Sequence, residues 1–383
     1  MAKQVNKNKP RWLNPKGTPG VDVVFLILVL CLLAFGLVMV ASSSYVSALY
    51  KHGNSYHYIL RQLLFAVAGI VIMLAVPLFD YHVMRRYCLP LLLLAMLLLF
   101  LVLIPGIGIK VNGARRWLGF GGFTFQPSEI AKLAVILVLS SYMAANYNRM
   151  KEFMVGLLPP ALLLLAVCGL VIFEPHVSGA IVIFAVGAIL IFVGGASLKW
   201  LFGIGSAGVA ALVGFALLTP HARTRIEVWL DPFKDPTGSG FQTIQSLYAI
   251  GSGGPLGQGL GNSRQKFLYI PEPQNDYIFS IVCEELGFIG AMMVIVLFVL
   301  LIWRGFVIAY HAKDKFGSLV VVGIISRVAV QVILNIAVVT NTVPPTGISL
   351  PFFSYGGTAL MVLLAEMGIV LAISRHSRME ERE

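Results

Sequence analysis

Apolar runs long enough to cross a bilayer recur through almost the whole of this chain, and they leave it little choice of fold. A spanning helix needs about 20 predominantly apolar residues. Such runs fall at 21–44, 59–79, 88–105, 127–146, 153–173, 177–195, 197–219, 277–303, 316–340 and 355–374, with charges or glycines interrupting 127–146 and 177–195. Of the 383 residues, 58% are hydrophobic and 12% charged, a balance that no soluble core would hide. The expected fold class is all-α: a polytopic integral membrane protein of about ten transmembrane helices. A tail (1–20) precedes the membrane domain (21–374), and a short tail (375–383) follows it. The first apolar run is too long for the h-region of a cleavable signal and follows a polar, basic tail, so it reads as a span.

Lysine and arginine in short loops set the orientation. Lys3, Lys7, Lys9, Arg11 and Lys16 precede the first run, and Arg85, Arg86, Arg149, Lys151, Lys199, Arg304, Lys313, Lys315, Arg375, Arg378 and Arg382 fall on the same side if there are ten spans. Both termini are therefore expected in the cytoplasm. The opposite side holds fewer cations, gathered in two loops: Lys110, Arg115 and Arg116 in one, Arg223, Arg225, Lys234, Arg264 and Lys266 in the other. Basic groups kept outside against the usual bias suggest an anionic ligand; solvated loop charge is the plainer alternative.

Cys31, Cys88, Cys168 and Cys283 sit in or beside predicted spans and read as small apolar residues, not as metal ligands or a disulfide framework. The net charge of +11 fits a basic inner face and carries no indication of nucleic-acid binding. No internal repeat stands out, which weakens an inverted-repeat transporter reading.

Candidate chemistry lies in the outer loops 105–126, 220–276 (between spans seven and eight) and 341–354, with the helix starts beside them. In "NGARRWLGFGGFTFQPSEIAKLA", residues 112–134, Pro127 suits a first helical turn. Glu129 and Lys132 share a helical face at i, i+3. One reading is a capped helix start with an internal ion pair; the other aims Lys132 and Arg115 or Arg116 at a phosphate-bearing ligand, with Trp117 as an interfacial surface. In 228–267 the glycines at 251, 253, 254, 257, 259 and 261 superficially match nucleotide loops, but no G-K-[ST] follows. They form either an anion nest beside Arg264 and Lys266 or a series of tight turns.

"YIPEPQNDYIFSIVCEELGFIG", residues 269–290, places Asp276 at the mouth of a span and Glu284 and Glu285 within it. Asn275 or Asp276 is well placed to cap the helix. Helical geometry sets Glu284 about 12 Å deeper and Glu285 on nearly the opposite face, so the three acids cannot act as one cluster. Asp276 alone stands where a headgroup substrate reaches. Glu284, Glu285, Glu129 and Glu366 are expected to pair with buried cations, Lys132 and Arg327 being the intramembrane candidates. The prolines and glycines of 341–360, "NTVPPTGISLPFFSYGGTAL", predict a re-entrant or plug-like loop lining a site, or else an ordinary interfacial loop.

The segments "RRWLGFGGFTFQPSEIAKLA", "LDPFKDPTGSGFQTIQSLYAIGSGGPLGQGLGNSRQKFLYIPEPQNDYIFSIVCEELGFIG" and "PPTGISLPFFSYGGTAL" together resemble the SEDS family of FtsW, RodA and SpoVE proteins. The first span, "GVDVVFLILVLCLLAFGLVMVASSS", looks more like the FtsW/SpoVE branch. The resemblance implies a peptidoglycan glycosyltransferase that polymerises lipid II at the outer face of the bacterial cytoplasmic membrane. It makes Asp276 the catalytic acid and carries the "RW…QPSE…K" motif onto Arg116, Trp117, Gln126, Pro127, Ser128, Glu129 and Lys132. It also implies a class B penicillin-binding protein as partner, with other divisome or elongasome membrane proteins. One departure stands out: where the family commonly has Gln/Glu-Pro-Asp-x-Gly, this chain reads "EPHVSGA", with His176 in place of the acid.

On that resemblance Asp276 takes the acceptor hydroxyl's proton. Arg116, Trp117, Lys132, Arg264, Lys266 and Ser354 are the expected lipid II contacts, the cations stabilising the departing diphosphate. A divalent cation, Mg2+ or Mn2+, is the candidate cofactor, its ligands left open, and no organic cofactor is expected. Grooves between helices would hold the polyprenyl tails. A lipid II flippase or transporter and a non-catalytic division scaffold are the competing classes.

Overall fold

The computed structural model describes residues 20–111, 114–120, 123–200 and 220–377, with scattered positions between 201 and 219. The expected tails and most of the expected span at 197–219 lie outside the described residues. Among those described, eight helices are long and apolar enough to cross a membrane. They are α1 (Val23–His52), α2 (His57–Ala75, continued by a 3₁₀ turn to Leu78), α3 (His82–Leu103), α4 (Pro127–Ala145), α5 (Leu158–Phe173, after a π turn from Phe153), α9 (Ile278–His311), α10 (Lys315–Val339) and α11 (Gly357–Arg375). The shorter apolar helix α6 (Val177–Val193) matches the run expected at 177–195. The chain is a polytopic helical membrane protein.

Local chemistry sets the helix ends. Asp22 caps α1 by accepting from the Phe25 N–H, and Asp314 caps α10 by accepting from the N–H groups of Phe316 and Gly317. Pro127 opens α4 with Glu129 in its first turn, as its motif predicts. Helix α1 stops at Gly53, whose φ of 67° is the left-handed C-cap that glycine adopts without strain. At the other end of α1, Asp22 pairs with Arg304 of α9 at 2.7 Å and draws the two helices together.

Helix α10 forms the centre, packed against α4, α6 and α9, while α2 lies along α11 and α3 along α4. The first outer segment adds a feature to the helical fold: an antiparallel sheet in the order β1 (Gly108–Val111), β2 (Ala114–Phe120), β3 (Phe123–Phe125). Its register pairs Ile109 with Trp117 and Leu118 with Phe125, which holds Arg116 and Trp117 above the start of α4. The long loop is also structured, carrying α7 (Pro220–Leu230) and α8 (Phe241–Gly253).

Helix α9 is broken at Gly287, which has φ 68° and ψ −168°. A break frees backbone groups that hydrocarbon cannot satisfy. The glycine run fills that need: Gln258 and Gly259 donate to the carbonyls of Glu284 and Glu285 at 3.0 Å, and Phe288 and Ile289 donate to Gly254 and Pro255. The run is therefore a set of tight turns docked on a broken helix, and its backbone N–H groups are directed at carbonyls instead of an anion. A Cβ on Gly287 would lie 2.2 Å from the Gly257 nitrogen. Gly287→Ala should combine this clash with a disfavoured φ and cost about 1–3 kcal/mol or more. The expected readout is a lower unfolding midpoint in detergent.

Candidate active site at the outer mouth of the bundle

The outer ends of α1, α2, α4, α6 and α11, the sheet and the segment 347–358 enclose a cavity of about 1110 Å³. Asp276, Arg116, Trp117, Lys132, Ser354, Glu129 and Arg327 all line it. The third outer segment thus behaves as the plug-like loop that its prolines and glycines suggest. Asn335, buried in α10, donates to the backbone carbonyls of both Asp276 (2.8 Å) and Ile348 (2.6 Å), fastening that loop beside the acid. Gly347, at φ 70°, lets the backbone approach so closely that a Cβ would sit 3.0 Å from Asp276 Oδ2.

Asp276 does not cap α9. The cap position belongs to Tyr277, and its side chain accepts no hydrogen bond from the first turn. The Asp276 carboxylate makes no hydrogen bond or ion pair among the described residues, so it is free to accept a proton from outside. Desolvation pushes its pKa up to about 6, with Arg116 opposing, Glu272 adding and Arg225 opposing. At neutral pH it is a carboxylate, yet a far stronger proton acceptor than an ordinary aspartate.

Arg116 donates to the Pro175 carbonyl while its Nε, buried, has no partner among the described residues. Desolvation and Arg225 lower its pKa, and Asp276 and Glu174 oppose them. Behind it lies the departure from the family motif. His176 is buried, its Nδ1 within 3.2 Å of Gln126 Nε2 and 3.3 Å of Ser128 Oγ. Desolvation, reinforced by Lys132 and Arg116, drives its pKa down to about 3, so the imidazole is neutral. Glu174 is fully buried and desolvation raises its pKa to about 8 against the pull of Arg116. A neutral histidine therefore occupies the position where an acid is usual, and Asp276 keeps its place independently of it.

Below the mouth sits a buried charge network. Lys132 Nζ lies 2.6 Å from Glu129 Oε1, Arg327 Nη2 lies 2.6 Å from Glu129 Oε2, and Arg327 Nη1 bonds Glu366. These are the intramembrane groups the sequence singles out, now assigned to pairs. The charge of Lys132 is matched inside the protein, although the residue still faces the cavity.

Other expectations are met differently or not at all. Glu285 does pair with a buried cation, though with neither Lys132 nor Arg327, while Glu284 has no cation within ion-pair distance among the described residues. Glu285 binds Lys266 at 3.0 Å and accepts from Ser42 at 2.7 Å, while Glu284 accepts from the Ser263 hydroxyl at 2.5 Å and the Arg264 N–H at 2.8 Å. Helix α9 turns both acids toward the docked loop, so the loop's own groups satisfy them first. Lys266 is consequently buried in that pair, and exposed Arg264 lies off the cavity lining. Neither stands at the expected diphosphate position. Ser354 lines the cavity, but its hydroxyl accepts from the Leu350 N–H at 2.7 Å and shapes the loop. Among the described residues no group of three His, Cys, Asp or Glu side chains is placed to hold a metal ion; a Mg2+ ion that travels with a diphosphate takes most of its ligands from phosphate and water and needs no such group.

Sequence reasoning missed Gln62, Asn335 and Arg61, and it placed Arg225 only within the general cluster of outer cations. Gln62 is buried in α2, donates to the Ser354 carbonyl at 3.3 Å and accepts from the Gly356 N–H at 3.2 Å. Polar residues inside apolar runs were the available signal for Gln62 and Asn335.

Residues 22–379 match the family described as cell cycle protein, that of FtsW, RodA and SpoVE. The chain belongs to the FtsW/RodA/SpoVE family. It is 44% identical to stage V sporulation protein E of Bacillus subtilis over 93% of this chain and 98% of that one. It is 41% identical to the probable peptidoglycan glycosyltransferase FtsW of Trichlorobacter lovleyi, covering 92% and 93%. Among solved structures, a chain from a peptidoglycan synthase complex, described as coordinating polymerization and crosslinking, superposes with a TM-score of 0.76 at 32% identity, covering 93% and 98%. RodA of Thermus thermophilus superposes at 0.69 with 27% identity, covering 96% and 99%. The family's fold thus extends over essentially all of the described chain.

Proposed function

We propose that this FtsW/RodA/SpoVE-family protein is a peptidoglycan glycosyltransferase that joins the sugars of lipid II into glycan strands at the outer face of the bacterial cytoplasmic membrane. Both termini then lie in the cytoplasm, and a class B penicillin-binding protein cross-links the product. The relatives' names and the peptidoglycan synthase complex support the activity and a partner of that kind. The observation that carries the reading is Asp276: an unengaged carboxylate at the cavity mouth, with a pKa of about 6, beside the cation Arg116.

The geometry suits transfer from a lipid diphosphate. Asp276 accepts the proton of the acceptor hydroxyl as its oxygen attacks the anomeric carbon of the donor. The bond from that carbon to the diphosphate breaks, and Arg116 faces the charge that develops on the leaving oxygen. The diphosphate is already a good leaving group, so the second catalytic carboxylate of a glycoside hydrolase is not needed. Trp117 and the apolar side chains around the cavity offer surfaces for the sugar and the polyprenyl tail.

Labelled lipid II incubated with the purified protein and its transpeptidase partner should yield glycan polymer. Translocation of lipid II across vesicles without polymer would replace this reading with a flippase.

A further inference from the structure

Between Asp235 and Arg264 the long outer segment contains no Asp, Glu, Lys or Arg, although charged residues stand at both of its ends. A water-facing loop of that length ordinarily carries charge. Its glycine-rich tip also exposes large apolar side chains: Leu256 is 76% exposed and Leu260 55%. Contiguous apolar exposure of this kind marks a surface that something other than water covers.

The depth of the tip follows from two helices that share their inner end. Asp22 and Arg304 pair where α1 begins and near the inner end of α9. Measured from that pair, Ser42 is about 30 Å along α1 and Glu285 about 28 Å along α9. These two side chains hydrogen-bond each other at 2.7 Å, so the two lengths agree. A hydrocarbon layer is about 30 Å thick, which puts the Ser42–Glu285 contact at its outer boundary and Phe288 and Ile289 inside it. Phe288 and Ile289 are 67% and 59% exposed and open the lipid-facing strip of α9 that continues through Val296 and Val299. Their N–H groups donate to the carbonyls of Gly254 and Pro255 at 2.9 and 3.1 Å, which holds Leu256, the next residue, at the same depth.

Irregular backbone survives at that depth only where protein satisfies its polar groups. The tip meets this condition. The N–H groups of Gly257, Gln258 and Gly259 donate to the carbonyls of Gly253, Glu284 and Glu285. The side-chain amides of Gln258 and Asn262 donate to the carbonyls of Ser252 and Gln258 at 3.2 and 3.1 Å. The charged end of the loop returns to the boundary, where Lys266 meets Glu285 and the Arg264 N–H meets Glu284.

We propose that the tip, residues 254–260, is a re-entrant membrane anchor whose partner is the acyl chains of the outer leaflet. Leu256 is immersed beside Phe288, and Leu260 lies at the boundary next to Gly259, whose N–H reaches Glu285. The anchor goes beyond the glycosyltransferase reading and does not depend on it. Its consequence for the site is positional. The loop runs from the anchored tip through the Lys266–Glu285 pair to Asp276, which stands about 12 Å above Glu284, at the level of the headgroups.

The test places the purified full-length chain in vesicles of phosphatidylethanolamine and phosphatidylglycerol that include a phospholipid with a photoactivatable diazirine in its acyl chain. Adducts are mapped by mass spectrometry. The wild type should carry adducts on 254–260 at a yield comparable to that on 288–299 of α9, and about 10-fold or more above that on the charged stretch 231–235. Leu256→Asp should lower the yield on 254–260 about 10-fold, because a carboxylate is costly in hydrocarbon, and leave that on α9 unchanged, which also reports an intact bundle. Leu256→Met should keep the wild-type yield. A wild type labelled on α9 and not on 254–260 would overturn the anchor, as would a Leu256→Asp chain labelled on 254–260 as fully as wild type. A wild-type yield that drops to the level of 231–235 when a transpeptidase partner is added would assign the surface to protein and overturn it too. If Leu256→Asp loses the α9 adducts as well, the wild-type and Leu256→Met yields decide. None of these outcomes bears on polymerisation, so a failed anchor leaves the glycosyltransferase reading standing.

Discussion

Arg327→Met will unfold more readily than the wild type by about 3–5 kcal/mol, the usual consequence of removing one partner from a buried ion pair. Glu366 is fully buried and Arg327 is the cation bonded to it, so the substitution leaves a carboxylate without a counter-charge inside the membrane. Glu129 suffers less because it keeps Lys132 at 2.6 Å. The double substitution Arg327→Met with Glu366→Leu should recover much of the loss, since it leaves no orphaned charge on that side. Unfolding midpoints in detergent measure both. A single substitution as stable as wild type would contradict the pairing described.

The larger effect on activity is expected at Asp276. Asp276→Ala should lower glycan synthesis by a factor on the order of 10²–10⁴, the usual contribution of a positioned general base. Asp276→Asn should do the same, because an amide keeps the size and loses the basicity. Neither should disturb the fold greatly. The side chain makes no hydrogen bond among the described residues, and the position is held through its backbone carbonyl by Asn335 at 2.8 Å. Unchanged thermal unfolding together with lost polymerisation is the expected pattern; lost folding would assign Asp276 a structural role.

The eight described spans were legible because hydrocarbon thickness imposes a length on apolar runs, and the N-terminus of α4 was legible because Pro127 and Glu129 obey first-turn chemistry. Asp276 stood out through its place at the end of an apolar run and through the family motif. The partners of the buried acids were not legible. Lys132 lies three residues from Glu129, within reach of a local rule, but Arg327 comes from 198 residues away, and only the packing of α10 against α4 brings it there. Glu285 found Lys266 because helix α9 breaks at Gly287 and the glycine run docks in the gap. That docking converts Lys266 from an expected ligand contact into a buried counter-ion. The sheet escaped notice because its strands are short and rest on α3 and α4 for support. Arg61 escaped because nothing local distinguishes a cavity-facing arginine from one that marks a loop.

The claim that Asp276 works as a base beside Arg116 is tested most directly by the pH dependence of kcat/KM for lipid II polymerisation. A base must be deprotonated, so the wild-type rate should rise with pH through about 6 and then level off. Arg116 holds that value down, so Arg116→Gln should raise the pKa of Asp276 and move the rising limb to higher pH, besides lowering the plateau. A wild-type profile flat from pH 5 to 8, or a limb that Arg116→Gln leaves in place, would contradict the account.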